Sequence, residues 1–297
     1  MTDHDAFTDF AEKFLPAIDA ALQGCMDSIA QSCPPELTEA ISYSLLSPGK
    51  RIRPLLTLAA ADACGGSTEK ALPAACAVEM VHAYSLIHDD LPAMDDDDMR
   101  RGRPSCHKKH GEAEALLAGD ALLALAFDVL AKDVQPADIA TACIRTLATA
   151  AGPTGMAGGQ SDDLRGREGG SDLAHLESID RRKTGALLEA ALLLGGIIAV
   201  GTKDQLNALE EYGWRIGLAF QIRDDLLDAE STEEQLGKAA GKDAGQGKLT
   251  YLSLLGTDES RKRMNTLVEE AQNALSPFGE EADPLRSLAR FIVERES

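Results

Sequence analysis

Basic residues are scarce in this chain: 29 Lys and Arg stand against 49 Asp and Glu, a formal net charge of −20. That deficit excludes a protein that grips nucleic acid by sequence-independent neutralisation of phosphates, and it makes an anionic membrane surface an unsuitable partner. Paired cysteines are missing too. Cys25, Cys33, Cys64, Cys76, Cys106 and Cys143 contain no C-x-x-C spacing, which excludes a zinc knuckle or a disulfide-dense scaffold and predicts free thiols in a reducing cytoplasm. The first residues, MTDHDAFTDFAEKF, carry acids where an export signal needs bases, so no export is expected. No apolar run approaches the roughly 20 residues that a bilayer requires; the most apolar, from Ala190 to Val200, is interrupted by Gly195 and Gly196. No convincing period-two strand occurs. Aromatic residues make up only 4%, yet hydrophobic residues reach 44% of 297, enough for a sizeable core.

What is present is helical spacing almost everywhere. From Leu116 to Leu130, the residues Leu116, Leu117, Leu122, Leu125, Phe127, Val129 and Leu130 surround only two acids, Asp120 and Asp128, so that helix must sit among others. Similar patterns run from about Phe7 to Ile29, Leu37 to Leu46, Pro54 to Cys64, Lys70 to Leu91, Ala137 to Ala151, Leu173 to Leu194, Asp204 to Leu227, Ser260 to Leu275 and Pro284 to Glu294. The punctuation between them is short, as at Pro34-Pro35, Ser47-Pro48-Gly49 and Gly152-Pro153. These features predict one all-α domain, residues 1–297, built as a bundle of about ten core helices.

Two acidic clusters stand out. IHDDLPAMDDDDMRRGRP, from Ile87 to Pro104, holds Asp89, Asp90, Asp95, Asp96, Asp97 and Asp98, followed by Arg100, Arg101 and Arg103. So many like charges repel one another unless cations occupy the patch. The run follows a nearly apolar helix, so its carboxylates are expected to face a cavity. Pro92 ends that helix, and the turn allows Asp89 and Asp95 to face one another. An EF-hand does not fit: counting from Asp95 puts Arg100 where Gly is needed and Cys106 where the bidentate Glu belongs. The second cluster, FQIRDDLLD, sets Gln221, Asp224 and Asp228 at i, i+3 and i+7 on one helical stripe. Two such clusters read as opposite walls of one cavity. Oxygen donors without paired His suit Mg²⁺, held by a few carboxylates together with phosphate oxygens of a polyanionic ligand.

Further segments carry weaker signals. GKRIR places three cations within five residues after a Pro-Gly turn, a compact receptor for phosphate. His82 stands two turns before Asp89 and shares its face. HKKHG, residues 107–111, offers a His pair for a metal, but its adjacent lysines favour a surface segment. In GMAGGQSDDL, Gln160 and Asp163 line the cavity or the glycines simply pack helices closely. The Gly- and Lys-rich stretch from Glu230 to Lys248 reads as a loop, a plain solvated one by its spacing or one that closes over an anionic ligand.

Taken in order, LLSPGKRIRP (45–54), HAYSLIHDDLPAMDDDDMRRGRP (82–104), GMAGGQSDDL (155–164), RKTGALL (182–188), GLAFQIRDDLLD (217–228) and the Gly-Lys pairs ending at Lys238 and Lys248 resemble the trans-prenyltransferases of the polyprenyl synthetase family. The resemblance covers nearly the whole chain and lies closest to the bacterial branch that makes farnesyl diphosphate. It implies an isoprenoid-synthase-type helical fold around a central cavity, a homodimer, and head-to-tail condensation of isopentenyl diphosphate with dimethylallyl and then geranyl diphosphate. Geranylgeranyl diphosphate synthesis is the alternative product class. A class I terpene cyclase is more distant, since it needs no second diphosphate pocket.

Carried onto this sequence, the resemblance implies three Mg²⁺ ions bound by Asp89, Asp95 and Asp224, with Asp90 and Asp228 as indirect or water-mediated partners. Gly49, Lys50, Arg53, His82 and Arg101 would bind isopentenyl diphosphate. Arg100, Lys183, Thr184, Gln221, Lys238 and Lys248 would bind the allylic diphosphate. Lys183, Thr184 and Gln221 would also offer dipoles to the developing carbocation, and the released pyrophosphate would take the final proton. Tyr84 and Ser85 mark the floor that limits product length. Tyr84 is five residues before Asp89, about 7 Å along the helix, but it is displaced by about 140° from the Asp89 face.

Overall fold

A computed structural model describes residues 5–165, 172–234 and 249–294. The chain opens with α1 (Asp5–Ile29), α2 (Pro35–Leu45), α3 (Ile52–Ala63) and α4 (Thr68–Asp89). A small hairpin follows, β1 (Met99–Arg100) and β2 (Arg103–Pro104), then α5 (Cys106–His110), α6 (Glu112–Asp133), α7 (Ala137–Ala151) and α8 (Met156–Arg165). The second half contains α9 (Leu173–Asp180), a π-helical turn (Arg181–Gly185), α10 (Ala186–Ile198) and α11 (Lys203–Glu234). It ends with α12 (Tyr251–Leu255), α13 (Thr257–Ala274), a 3₁₀ turn (Glu280–Ala282) and α14 (Asp283–Glu294). Among the described residues no helix is long and apolar enough to cross a membrane.

Helix α4 is the axis. The Ser67 hydroxyl accepts the Lys70 N–H at its start, and every residue from Ala74 to Val81 is buried. A helix covered all round must have neighbours on every side; α3, α6 and α10 supply them. Small side chains such as Ala74, Ala75, Cys76 and Ala77 let those helices approach, and each fully buried Leu, Ile or Met around them contributes about 1.5–3 kcal/mol. Glu79 lies within this buried stretch, where an unpaired carboxylate would be costly. Arg51 answers it. This residue caps α3 in the left-handed conformation, φ 48°, which turns its guanidinium inward to Glu79 at 2.9 Å and Asp19 at 3.1 Å. Of the three cations in GKRIR, therefore, one serves the core.

Three local features depart from the sequence reading. The hairpin appears where no strand was expected, because two residues per strand are too few to show an alternating pattern. Its loop, Arg101-Gly102, has φ of 51° and 73°, the paired positive values of a type I′ turn. The segment 107–111 is not simply a surface stretch: Cys106 and His107 are buried under α5. The helical run from Leu173 to Leu194 is not uniform either, since the π turn interrupts it between Asp180 and Ala186. Such turns are frequent where a helix must re-aim side chains at a site.

Candidate active site

A cavity of about 420 Å³ opens between α4, α8 and the π turn. Its wall includes Arg53, His82, Tyr84, Ser85 and Asp89 on one side, and Met156, Gln160, Lys183 and Thr184 on the other. Asp89 is the last residue of α4. Helix termination at Asp90 lets the chain reverse, and the Asp95 N–H donates to the Asp89 carbonyl at 2.9 Å. The two acids thus meet across the turn, as their spacing predicts. Asp95, Asp96 and Asp98 remain exposed, so only Asp89 of the run lines the cavity itself.

Burial pushes the Asp89 carboxyl up to about 6; Asp95 and Asp90 push the same way, while Lys183 and Arg100 oppose them. A half-buried carboxyl held above its ordinary range chiefly by burial, with neighbouring acids adding to it, is a group whose ionised form a cation would stabilise. The carboxylate oxygens of Asp89 and Asp95, which meet at this turn, are donors of the kind Mg²⁺ takes. Asp90 is different. It is only 2% exposed and accepts two hydrogen bonds from Arg100 Nε, at 2.8 and 2.9 Å, with Nη2 at 2.7 Å from Oδ1. This pair fixes the hairpin strand against the end of α4, which positions Arg101 at the hairpin tip.

The basic wall is assembled from three elements. Arg101 Nη1 donates to the Pro48 carbonyl at 3.0 Å and to Ser47 Oγ at 3.3 Å, so its guanidinium lies over Gly49. A Cβ at residue 49 would stand 2.5 Å from Arg101 Nη1, so a larger residue there would displace the guanidinium from this position. Lys50 is exposed beside it. Arg53 contributes a buried Nε with no hydrogen-bond partner, and burial lowers its pKa to about 10, an effect that Arg101 reinforces and Glu79 opposes. His82 is held well below its usual value by burial and by Arg53, Arg101, Arg100 and Arg51. Arg51 is balanced by Glu79 and Asp19 and Arg100 by Asp90, so the positive charge beside this imidazole comes from Arg53 and Arg101, in a protein of charge −20. An anion entering there gains direct hydrogen bonds and relieves the repulsion. His82 and Leu86 also line a second, smaller cavity of about 50 Å³ beneath the hairpin.

The facing wall is built by close backbone approach. A Cβ on Gly159 would lie 2.3 Å from the Lys183 backbone N, so α8 can reach the π turn only with glycine at that position. The approach brings Asp163 Oδ2 to Lys183 Nζ at 2.6 Å and Asp162 to Arg182 at 2.7 Å. Thr184 donates its hydroxyl to Gln221 Oε1 at 3.1 Å. That bond ties the π turn to α11, and Asp224 follows Gln221 by one turn on the same face, with Asp228 a further turn along. Lys238 and Lys248 lie outside the described residues.

Tyr84 and Ser85 both line the cavity, so the angular displacement of Tyr84 from Asp89 does not remove it. The cavity wraps around α4 rather than following one face. The Tyr84 ring meets His88 edge-on, with centroids 5.7 Å apart, and His88 Nε2 is 3.1 Å from the Leu116 carbonyl of α6.

Sequence reasoning missed the apolar lining from Met94, Met156 and Leu164. It left Gln160 undecided; the structure places its side chain on the cavity, with both amide atoms buried and unpartnered. The matching order of Asp162-Asp163 and Arg182-Lys183 was the available signal for the α8 contact.

One acid behind the site carries a stability prediction. Burial, then Asp225 and Asp163, push the Asp180 carboxyl up to about 7, against Tyr251 and Lys183. A carboxyl raised in the folded state binds its proton more tightly than in the unfolded chain. Its contribution is fully present below pH 4 and is lost as pH rises through 7. Asp180→Asn is therefore expected to raise the melting temperature at pH 8, by the equivalent of a few kcal/mol, with the gain shrinking towards pH 4. Thermal melts of both proteins across that range check it; a pH-independent difference would contradict the buried-acid reading.

Comparison with known proteins agrees with this geometry. The polyprenyl synthetase family model matches residues 34–279. A geranylgeranyl diphosphate synthase of Cyanophora paradoxa is 49% identical over 272 residues, 90% of each chain. A farnesyl diphosphate synthase of Micrococcus luteus is 46% identical over 259 residues, 87% of this chain and 89% of that one. The crystal structure of a geranyltransferase from Legionella pneumophila superposes with a TM-score of 0.86 at 32% identity, covering 98% of both chains. An all-α isoprenoid synthase fold, two acid-bearing elements beside a basic pocket, and relatives matched along almost their full length make this chain a member of the polyprenyl synthetase family, a trans-prenyltransferase that elongates isoprenoid diphosphates.

Proposed function

We propose that the chain, as one domain, condenses isopentenyl diphosphate with dimethylallyl and then geranyl diphosphate and releases farnesyl diphosphate. The observation that carries this reading is the position of Tyr84. Its ring stands on the cavity wall below Asp89, braced by His88, which is held in turn by the Leu116 carbonyl. A rigid aromatic there would stop the growing chain early. Geranylgeranyl diphosphate is the second reading, favoured by the 49% identity to a synthase of that name and by Ser85, a small residue on the Asp89 face.

Asp89, Asp95 and Asp224 would hold Mg²⁺, with Asp90 and Asp228 acting indirectly. When bound, the metal supplies the charge neutralisation that lets the allylic diphosphate leave. Arg100, Lys183, Lys238 and Lys248 would hold that diphosphate. Lys183 must then exchange its contact with Asp163 for the substrate, and Arg100 acts while paired with Asp90. Gly49, Lys50, Arg53, His82 and Arg101 would orient isopentenyl diphosphate, using the positive locus described above. The Thr184 hydroxyl and Gln221 carbonyl present dipoles towards the cation formed when the carbon–oxygen bond breaks. Attack by the isopentenyl double bond follows, and the departing pyrophosphate takes the proton.

Helix α6 exposes Leu116 and Leu117, 48% and 50% accessible, an apolar face that supports a homodimer. The six unpaired thiols suit the cytoplasm. Supplying dimethylallyl and isopentenyl diphosphates with Mg²⁺ and separating the products by carbon number tests the assignment. Fifteen carbons are expected; a twenty-carbon main product would transfer it to the second reading, and no condensation would end both.

A further inference from the structure

The run Asp95–Asp98 is longer than the site needs, and its surplus acids converge on a residue from another element. One carboxylate oxygen each from Asp96 and Asp98 and a ring nitrogen of His107 lie within 4.8 Å of one another. The two aspartates are exposed, but His107 is only 5% exposed. Its Nδ1 is 3.1 Å from Ser105 Oγ. That leaves Nε2, sealed from solvent and without any hydrogen-bond partner. A buried imidazole with an unpartnered nitrogen, on a ring that approaches two carboxylates, needs a reason.

We propose that Asp96, Asp98 and His107 form a second divalent-cation site, separate from Asp89 and Asp224, that binds a borderline ion of the Zn²⁺ or Mn²⁺ type. An imidazole with two carboxylates selects such an ion over Mg²⁺, which favours oxygen donors alone. Ser105 supplies the outer contact: in the tautomer where its hydroxyl accepts the Nδ1 proton, the Nε2 lone pair is left for the metal. Donors around a tetrahedral ion with bonds of about 2.1 Å stand about 3.4 Å apart. Closing from separations of up to 4.8 Å falls to the exposed aspartates, while the imidazole stays fixed. Lys108 Nζ, 2.8 Å from Asp98 Oδ1, is the competing cation and must withdraw. Asp96 and Asp98 lie between Asp95 and the hairpin, and the Ser105 N–H donates to the Asp98 carbonyl at 2.9 Å. An ion here would clamp both ends of the loop that presents Asp95, Arg100 and Arg101.

The test is calorimetric titration of Zn²⁺ into the chelator-stripped full chain, with excess Mg²⁺ and no substrate, so it is independent of whether the chain makes farnesyl diphosphate. One equivalent is expected to bind. His107→Gln and Asp98→Asn should each weaken it by more than about tenfold, and Lys108→Met should tighten it. The exposed Asp98 variant keeps the test valid if the buried His107 variant does not fold. Asp89→Asn with Asp224→Asn should leave Zn²⁺ binding unchanged. Absence of stoichiometric binding, wild-type affinity in Asp98→Asn, or loss in the Asp89/Asp224 double variant would each overturn the proposal.

Discussion

Asp89→Asn is expected to lower kcat/KM by on the order of 10³-fold, about 4 kcal/mol of transition-state stabilisation, without loss of fold. The two halves of this expectation have different causes. Turnover falls because the carboxylate that would hold Mg²⁺ against the leaving diphosphate is gone. Stability holds because the carboxyl is already disfavoured in place: burial and the neighbouring Asp95 and Asp90 push it up to about 6. A neutral amide of nearly the same shape removes that repulsion, and the melting temperature should stay level or rise in the absence of metal and substrate. Asp224→Asn, on α11 one turn beyond the Gln221 that Thr184 holds, should show a loss of similar size if it joins the metal set. Steady-state kinetics with saturating Mg²⁺, read beside thermal melts, separates the two effects. Turnover within about tenfold of the unchanged protein in either variant would remove that residue from the proposed metal set.

Tyr84→Ala should change which product leaves the enzyme more than how fast it forms. The ring lines the cavity five residues before Asp89 and leans edge-on against His88. Truncation to Ala enlarges the cavity beside α4, where a five-carbon unit can extend. The expected outcome is a main product of twenty carbons or more, with condensation still dependent on Mg²⁺. A stability loss of about 3–5 kcal/mol, the range for removing a large buried aromatic, is an upper bound because Tyr84 is only partly buried. Product analysis by carbon number decides it. An unchanged spectrum would move the chain-length floor elsewhere, with His88 and Leu164 as the next cavity residues to examine.

Much of the architecture was legible without coordinates. Helical periodicity gave α7 at Ala137–Ala151 and placed α1 to α4 within a few residues of their observed ends, because a long helix repeats its pattern over several turns. The short α5, α8 and α12 and the hairpin escaped, since each spans too few residues for any period to emerge. The π turn escaped for another reason: Arg181 to Gly185 looks like ordinary helix, and only the approach of Gly159 to Lys183 shows why the winding changes there. His107 was the plainest misreading, because the lysines beside it are exposed while the imidazole turns inward to Ser105.

Local chemistry in the chain determined which residue types could do the work: acids at helical spacing, cations after a Pro-Gly turn, and a proline that ends α4 before Asp95. Only tertiary packing decided how those groups are shared. Arg51 and Arg53 differ by two positions in one basic motif, yet the first is bound to Glu79 in the core while the second leaves its Nε unpartnered on the cavity wall. Asp90 and Asp89 are adjacent, yet one is locked to Arg100 and the other lines the cavity. Charge and spacing are properties of the chain, whereas burial and pairing depend on which neighbour reaches a group first, and that is set by helices distant in sequence.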